Sequence, residues 1–347
     1  GIYRFSKIWV SEEAAGYAAL LTVFSSSITE TIHVFGQLPT TFSLGFLLNA
    51  LAFAHRWFKE GDPTMLLAAW ALNAATTAGH HVTTLFGAVF FLGPVIVLDL
   101  VDKFRTPLPD EPPQHPGKVT RANLRPLLMR RLRRIVPVGL RTGLYMAGLG
   151  FILIMVVLPY WLWSKDDPIS QVPIPHSSRD SFLENTAAGL VFWLIPYGLP
   201  LVLLPYVVYK GLATRAWPMM LSFLLLFLLG TGGTTPIPKL LLRGSFDILT
   251  LDRFTFWATI LMLPLLGEFV VSMRHGRLAK YIDEQFGRPT RYTVSFLLVV
   301  GYLIVSVFTA NLTYFRRFQP AAIEVQPIVN FIEKDEHWRW RYMTLGF

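Results

Sequence analysis

The 347-residue chain contains no cysteine, which excludes disulfides, thiolate metal sites and cysteine nucleophiles. Charge is also scarce: 15% of residues are Asp, Glu, Lys or Arg, against 53% hydrophobic. A soluble domain of this length would carry more charge over its surface. No Asp-x-Asp pair occurs, and no glycine-rich stretch has the spacing of a nucleotide P-loop. No basic run is interleaved with exposed aromatics on a soluble module, so nucleic-acid binding is not expected. The alternating segments of roughly ten residues that mark a membrane β-barrel are missing as well.

Long apolar runs are present, and the mean hydropathy is +0.46. A hydrocarbon core about 30 Å thick takes roughly 20 apolar residues to cross as a helix. Runs of that kind recur at 14–32, 38–58, 64–78, 82–101, 137–163, 187–209, 217–230, 254–272 and 293–315. The expected fold is all-α, a polytopic transmembrane helical bundle of about nine spans covering residues 1–315. The runs at 64–78 and 217–230 are short for a full crossing, and a tilted, re-entrant or continued segment would account for either.

With the N-terminus assigned to the inside, alternate loops collect most of the 31 basic residues, including ten between Lys103 and Arg141. That bias follows the positive-inside rule. The net charge of +9 is therefore read as a topology signal. Expected localisation is the inner (cytoplasmic) membrane, multi-pass, with the N-terminal end cytoplasmic and the C-terminal end outside.

The densest basic stretch, KVTRANLRPLLMRRLRRIVPVGLR, begins at Lys118 and ends at Arg141. Leu124, Leu127, Leu128, Leu132 and Ile135 can share one helical face, with Arg130, Arg131, Arg133 and Arg134 crowding the other. This predicts a basic amphipathic interfacial helix among anionic lipid headgroups, with a cytoplasmic topology anchor as its plainest role. A proline-rich spacer at 106–117 precedes it. Gly1 is not an initiator Met and Phe347 ends an aromatic, basic run, so both ends are expected to continue in a longer protein. Residues 316–347 are read as an outer-face segment that begins a soluble domain.

Candidate site residues fall in the loops assigned outside. Glu30 and His33 lie three apart on one helical turn, where a carboxylate and an imidazole serve acid/base work, hold a metal with help from elsewhere, or simply end a helix at water. His80 and His81 point about 100° apart on a helix, which disfavours a shared metal. A haem would need His33 as the partner ligand, and substrate binding is the better reading.

The least regular stretch is LLGTGGTTPIPKLLLRGSFDILTLDRFTFW, from Leu228 to Trp257. Backbone of this kind at membrane depth is tolerated where protein buries it or where it lines a wet cavity. Lys239, Arg243 and Arg253 offer cations for a phosphate, Asp247 and Asp252 offer partners or a base, and the glycines offer backbone N–H groups. Against this stands a re-entrant turn whose charges pair internally.

FGQLPTTFSLGFLLNALAF from Phe35, LNAATTAGHHVTTLFGAVFFL from Leu72, the GTGGTTPIP and LTLDRFTFWATILMLPLLG block, and the terminal IVNFIEKDEHWRWRYMTLGF resemble one family. It is the 6-pyruvoyl-tetrahydropterin-synthase-related multispanning membrane proteins, which are similar in turn to C-fold integral-membrane glycosyltransferases. The resemblance implies no pterin chemistry. It implies transfer of a sugar from a polyprenyl-phosphate donor, on the outer face, to a lipid, glycan or protein acceptor, with a divalent cation as an optional cofactor. Arg253 in LDRF would correspond to an arginine near the donor phosphate, and His80 and His81 to outer polar positions. Such enzymes use an acidic residue of the first outer loop, where this chain offers Glu30. The catalytic pair expected is then Glu30 and Asp252, with His33, His80, His81, Lys239, Arg243 and Arg253 binding the donor.

Two other classes compete. A non-catalytic scaffold or accessory subunit would use the 10 Trp, 27 Phe and 12 Tyr as packing surface toward partner subunits. A transporter would show inverted repeats with paired broken helices.

Overall fold

The computed structural model describes residues 1–106, 121–163, 175–311 and 324–334. It divides into two units, 1–310 and 311–347. Within the second, the described part contains one short helix, α16 (Gln326–Lys334). Most of the proline-rich spacer and of the outer C-terminal segment lies outside the described residues.

The first unit is all-helical, and its only strand-like feature among the described residues is an isolated bridge between Ser181 and Gly232. In order come α1 (Ile2–Ser6), α2 (Glu12–Val23), α3 (Ser26–His33), α4 (Leu38–Glu60), α5 (Pro63–Gly87), α6 (Gly93–Arg105) and α7 (Arg121–Trp163). After them come α8 (Thr186–Gly189), α9 (Ile195–Tyr197), α10 (Leu204–Ala213), α11 (Trp217–Leu229), α12 (Ile237–Leu242), α13 (Asp252–His275), α14 (Arg277–Phe286) and α15 (Arg288–Ala310). Among the described residues, five helices are long and apolar enough to cross a membrane, or six if the pair bent by 71° at Gly198 is one span.

Local chemistry sets the boundaries. α4 ends on Gly61 at φ +76, the left-handed position that glycine takes without strain. Asp62 then caps α5 by accepting from the Thr64 N–H at 2.9 Å, and Pro63 occupies the first turn, where no N–H is missed. At the start of α2, Ser11 accepts from the Ala14 N–H at 3.3 Å, and Glu12 and Glu13 face the helix dipole.

One long hydrogen-bonded stretch, Pro63–Arg105, conceals a reversal. His80 has φ −164° and ψ 93°, and the hydroxyls of Thr77 and Thr84 meet at 2.9 Å. In a straight helix, residues seven apart are separated by about 10 Å along the axis. The neighbours on α4 agree: Gly79 faces Ser43 and Gly87 faces Leu47, while Asp99 reaches His55 at 2.8 Å. The chain therefore runs antiparallel to α4 as far as Gly79 and parallel to it afterwards.

α13 is the axis of the bundle: its apolar window is 78% buried, against 17% in α7 and 11% in α15. Phe254 and Trp257 pack on Phe86 with ring centroids 5.6 and 5.7 Å away. α2 crosses α13 closely enough that a Cβ on Gly267 would stand 2.1 Å from the Ala14 carbonyl oxygen, a contact only small residues permit. By contrast, Phe296, Ile304 and Val307 of α15 and Phe151 and Ile154 of α7 are exposed, as suits helices that face lipid.

The predicted span at 14–32 is broken between α2 and α3. The carbonyls of Leu21 and Phe24 at that break accept from Tyr302 (2.7 Å) and from Ser306 of α15, so backbone freed by the break stays satisfied. The described part of the basic stretch, from Arg121 on, departs from expectation: it is the first part of the continuous helix Arg121–Trp163 rather than a separate interfacial element. Its leucine and arginine periodicity carries straight into the apolar run, and neither Pro126 nor Pro137 ends the helix.

Candidate functional site

The N-terminal end of α13 gathers the polar groups. Leu251, just before the helix, donates its N–H to Ser178 Oγ at 2.9 Å, tying the 176–181 loop to the helix start. Asp252 follows, 3% exposed, and Glu30 of α3 is fully buried within electrostatic reach of it. Gln37, between α3 and α4, donates its amide to Asp252 Oδ2 and reaches Thr250 Oγ1 at 3.4 Å.

Arg253 is half-buried. Its Nε and Nη2 each donate to Thr250 at 3.0 Å, to the carbonyl and the hydroxyl respectively. Nη1 keeps no partner among the described residues. Acceptors remain unmet: both carboxylate oxygens of Glu30, Asp252 Oδ1 and Gln37 Oε1 are buried without a hydrogen-bond partner. Buried oxygens of this kind are costly unless a proton, a cation or a donor group meets them. The cluster thus sets unpartnered carboxylate and amide oxygens beside a guanidinium held by Thr250.

His80 lies within electrostatic reach of Arg253, and its ring centroid is 6.3 Å from that of His81. The reversal at His80 brings both histidines to this end of the bundle; His80 Nδ1 is taken by Thr83 Oγ1 at 2.7 Å, and the His81 residue is exposed. His33, Lys239 and Arg243 are exposed and make no hydrogen bond or ion pair with Asp252 or Glu30 among the described residues. Arg243 adopts φ +49, a backbone region uncommon for a residue with a Cβ. No group of three or more His, Asp or Glu side chains suited to a metal occurs among the described residues.

The glycine stretch has a packing role. A Cβ on Gly232 would stand 2.6 Å from the Ser178 carbonyl oxygen, and one on Gly233 would stand 2.5 Å from that of Arg179. The Gly233 N–H donates to Asp180 O at 3.0 Å, and Thr234 Oγ1 accepts from the Phe182 N–H at 2.9 Å. The N–H groups of Thr231 and Thr234 are likewise spent on local carbonyls. The expected phosphate cradle is instead a seat for the 176–181 loop.

His176, on that loop, joins the site without any spacing to announce it. Its Nδ1 accepts from the Ser178 N–H at 3.2 Å, which leaves the neutral ring's proton on Nε2. Its ring faces Phe192 at 5.3 Å, and Phe192 stacks on Phe35 at the same distance. Burial holds the imidazole below its usual value; the charges of Asp252 and Asp180 pull upward, and those of Arg179 and Arg253 push further down.

No protein-family model, no curated protein and no solved structure matches this chain.

Proposed function

We propose that the Asp252 cluster is the reaction centre of a glycosyltransferase-like membrane protein that uses a polyprenyl-phosphate-linked sugar. The observation that carries this reading is the pairing of a half-buried guanidinium, Arg253, with two buried carboxylates, Asp252 and Glu30, three of whose four oxygens lack partners. In this scheme the acceptor hydroxyl attacks the anomeric carbon and the bond from that carbon to the phosphate oxygen breaks. The hydroxyl proton passes to Asp252, and Arg253 stabilises the departing phosphate. Gln37 holds the Asp252 carboxylate through Oδ2, Glu30 stands beside it as the second catalytic carboxylate, and His80 and His81 bind sugar or phosphate oxygens. Lys239 and Arg243, exposed on the segment that precedes α13, attract the donor without touching the reacting atoms.

We also read nine crossings, with this end outside the cytoplasmic membrane. Support comes from the opposite end of α13, where Arg274 and His275 meet Glu13 at 3.2 and 2.9 Å and Arg215 meets Asp102 at 3.0 Å. Basic loops from distant parts of the sequence thus share one face, as the positive-inside rule predicts.

The test is sugar transfer in proteoliposomes from a radiolabelled polyprenyl-phosphate donor. Arg253→Ala is expected to lower turnover about 100-fold or more, the scale of losing one preorganised oxyanion donor. Turnover close to wild type would sink the assignment. No transfer by the wild-type chain, with a partner subunit covering this end, would favour the scaffold.

A second reading, an ion-coupled transporter, has one specific observation behind it. The breaks at Ser25 and Gly198 meet, with Ser26 Oγ donating to the Pro196 carbonyl at 3.1 Å. Adjacent broken helices near a buried carboxylate are a transporter's signature. Substrate-dependent proton or sodium uptake that stops in Glu30→Gln would select it.

A further inference from the structure

We propose that a second binding site, for a phosphate-bearing anion, lies at the opposite end of the bundle from Asp252. A cavity of about 730 Å³ there is lined by six basic side chains: Lys59, Lys103, Arg105, Arg134, Arg141 and Arg215. They come from four separate places: the α4–α5 turn, the end of α6, the first half of α7 and the α10–α11 turn. The fold, not a local run of sequence, brings them together.

Two acidic residues, Asp99 and Asp102, also line the cavity, and both already have partners. Asp99 is bound by His55 at 2.8 Å and Asp102 by Arg215 at 3.0 Å. Among the described residues, Lys59, Lys103, Arg105 and Arg141 form no ion pair with either aspartate. Arg141 is held rigidly: its Nη1 donates to the carbonyls of Phe58 and Lys59 at 3.0 and 2.9 Å, and its guanidinium lies 6.0 Å from the centre of the Trp57 ring. Gly61 makes room for it, since a Cβ there would stand 2.5 Å from Nη2. Arg134 is anchored on the Thr106 carbonyl at 3.0 Å. The side chains of Lys59, Lys103 and Arg105 make no hydrogen bond or ion pair among the described residues and remain free to close on a ligand.

Two anchored guanidiniums and three free cations around one cavity fit phosphate chemistry. Arg supplies a planar fork for phosphate oxygens, and Lys adds point charge. The cavity volume of about 730 Å³ falls within the range of small-molecule sites. Two sources carry such a group: the headgroup of an anionic lipid, or a soluble phosphorylated compound. This site is independent of the sugar-transfer reading.

The experiment uses the full chain and the double variant Lys103→Gln/Arg105→Gln, with Arg130→Gln/Arg133→Gln as the control on exposed residues of α7 outside the cavity lining. Binding of sodium pyrophosphate is followed by calorimetry, and retention of dioleoylphosphatidylglycerol by native mass spectrometry after detergent exchange. The cavity variant is expected to bind about tenfold more weakly, the scale of losing charge-assisted hydrogen bonds, and to melt like wild type. Loss of lipid retention identifies a headgroup; loss of pyrophosphate binding identifies a soluble ligand. Absence of both in the wild-type chain, or an equal loss in the control, overturns the proposal.

Discussion

At the scale of single residues, the Asp252 cluster combines groups that the sequence announces with groups that it hides. Glu30, Asp252 and Arg253 stand out as ionisable residues beside apolar runs. Their partners do not: Gln37 meets Asp252 from 215 positions away, and His176 sits in a polar loop with no spacing signal. A pH effect belongs to His176. Because its native value lies below the usual one of about 6.5, the unfolded chain binds more protons than the folded one between those two values. Stability therefore falls as pH drops through that window, and the contribution is fully present above it. Thermal melts of His176→Gln should show a shallower decline than wild type as pH is lowered from 7; parallel curves would contradict the burial argument.

At the scale of elements, close helix crossings decide what tolerates change. Gly267 lets α2 lie against α13 with the Ala14 carbonyl 2.1 Å from where a Cβ would stand. Neither backbone can yield without separating the helices. Gly267→Val should destabilise the protein by about 2 kcal/mol or more, read as a lower melting temperature, whereas Gly16→Val should not, since a Cβ at Gly16 meets nothing within 4 Å.

Most of the elements were legible from apolar length alone: the runs at 38–58, 254–272 and 293–315 became α4, α13 and α15. The reversal at His80 was legible too, because Gly79 and two histidines interrupt the apolar pattern. What length could not reveal was the break at Ser25. It is stabilised from outside, by hydroxyls of α15 almost 300 residues further along the chain. The glycine stretch misled in the other direction. Glycines serve close packing as readily as ligand approach, and here Gly232 and Gly233 seat a neighbouring loop.

At the scale of the whole molecule, the two ends of the bundle differ in chemistry. One end holds buried carboxylates with unmet oxygens beside Arg253; the other holds paired surface charges and a basic cavity. The gathering of basic residues from distant loops at one end was readable in outline from the loop charges. The contents of each end were not, because they depend on which helices pack together.

The central claim is that the Asp252 end receives the phosphate of a polyprenyl-phosphate donor. Its most direct test is the structure of the full chain in lipid nanodiscs with polyprenyl phosphate added. The account predicts elongated density running from the bilayer to the Asp252 end, with its phosphate against Arg253 Nη1, and loss of that density in Arg253→Ala. A filled, dry cluster with no lipid phosphate at Arg253, at saturating ligand, would contradict it.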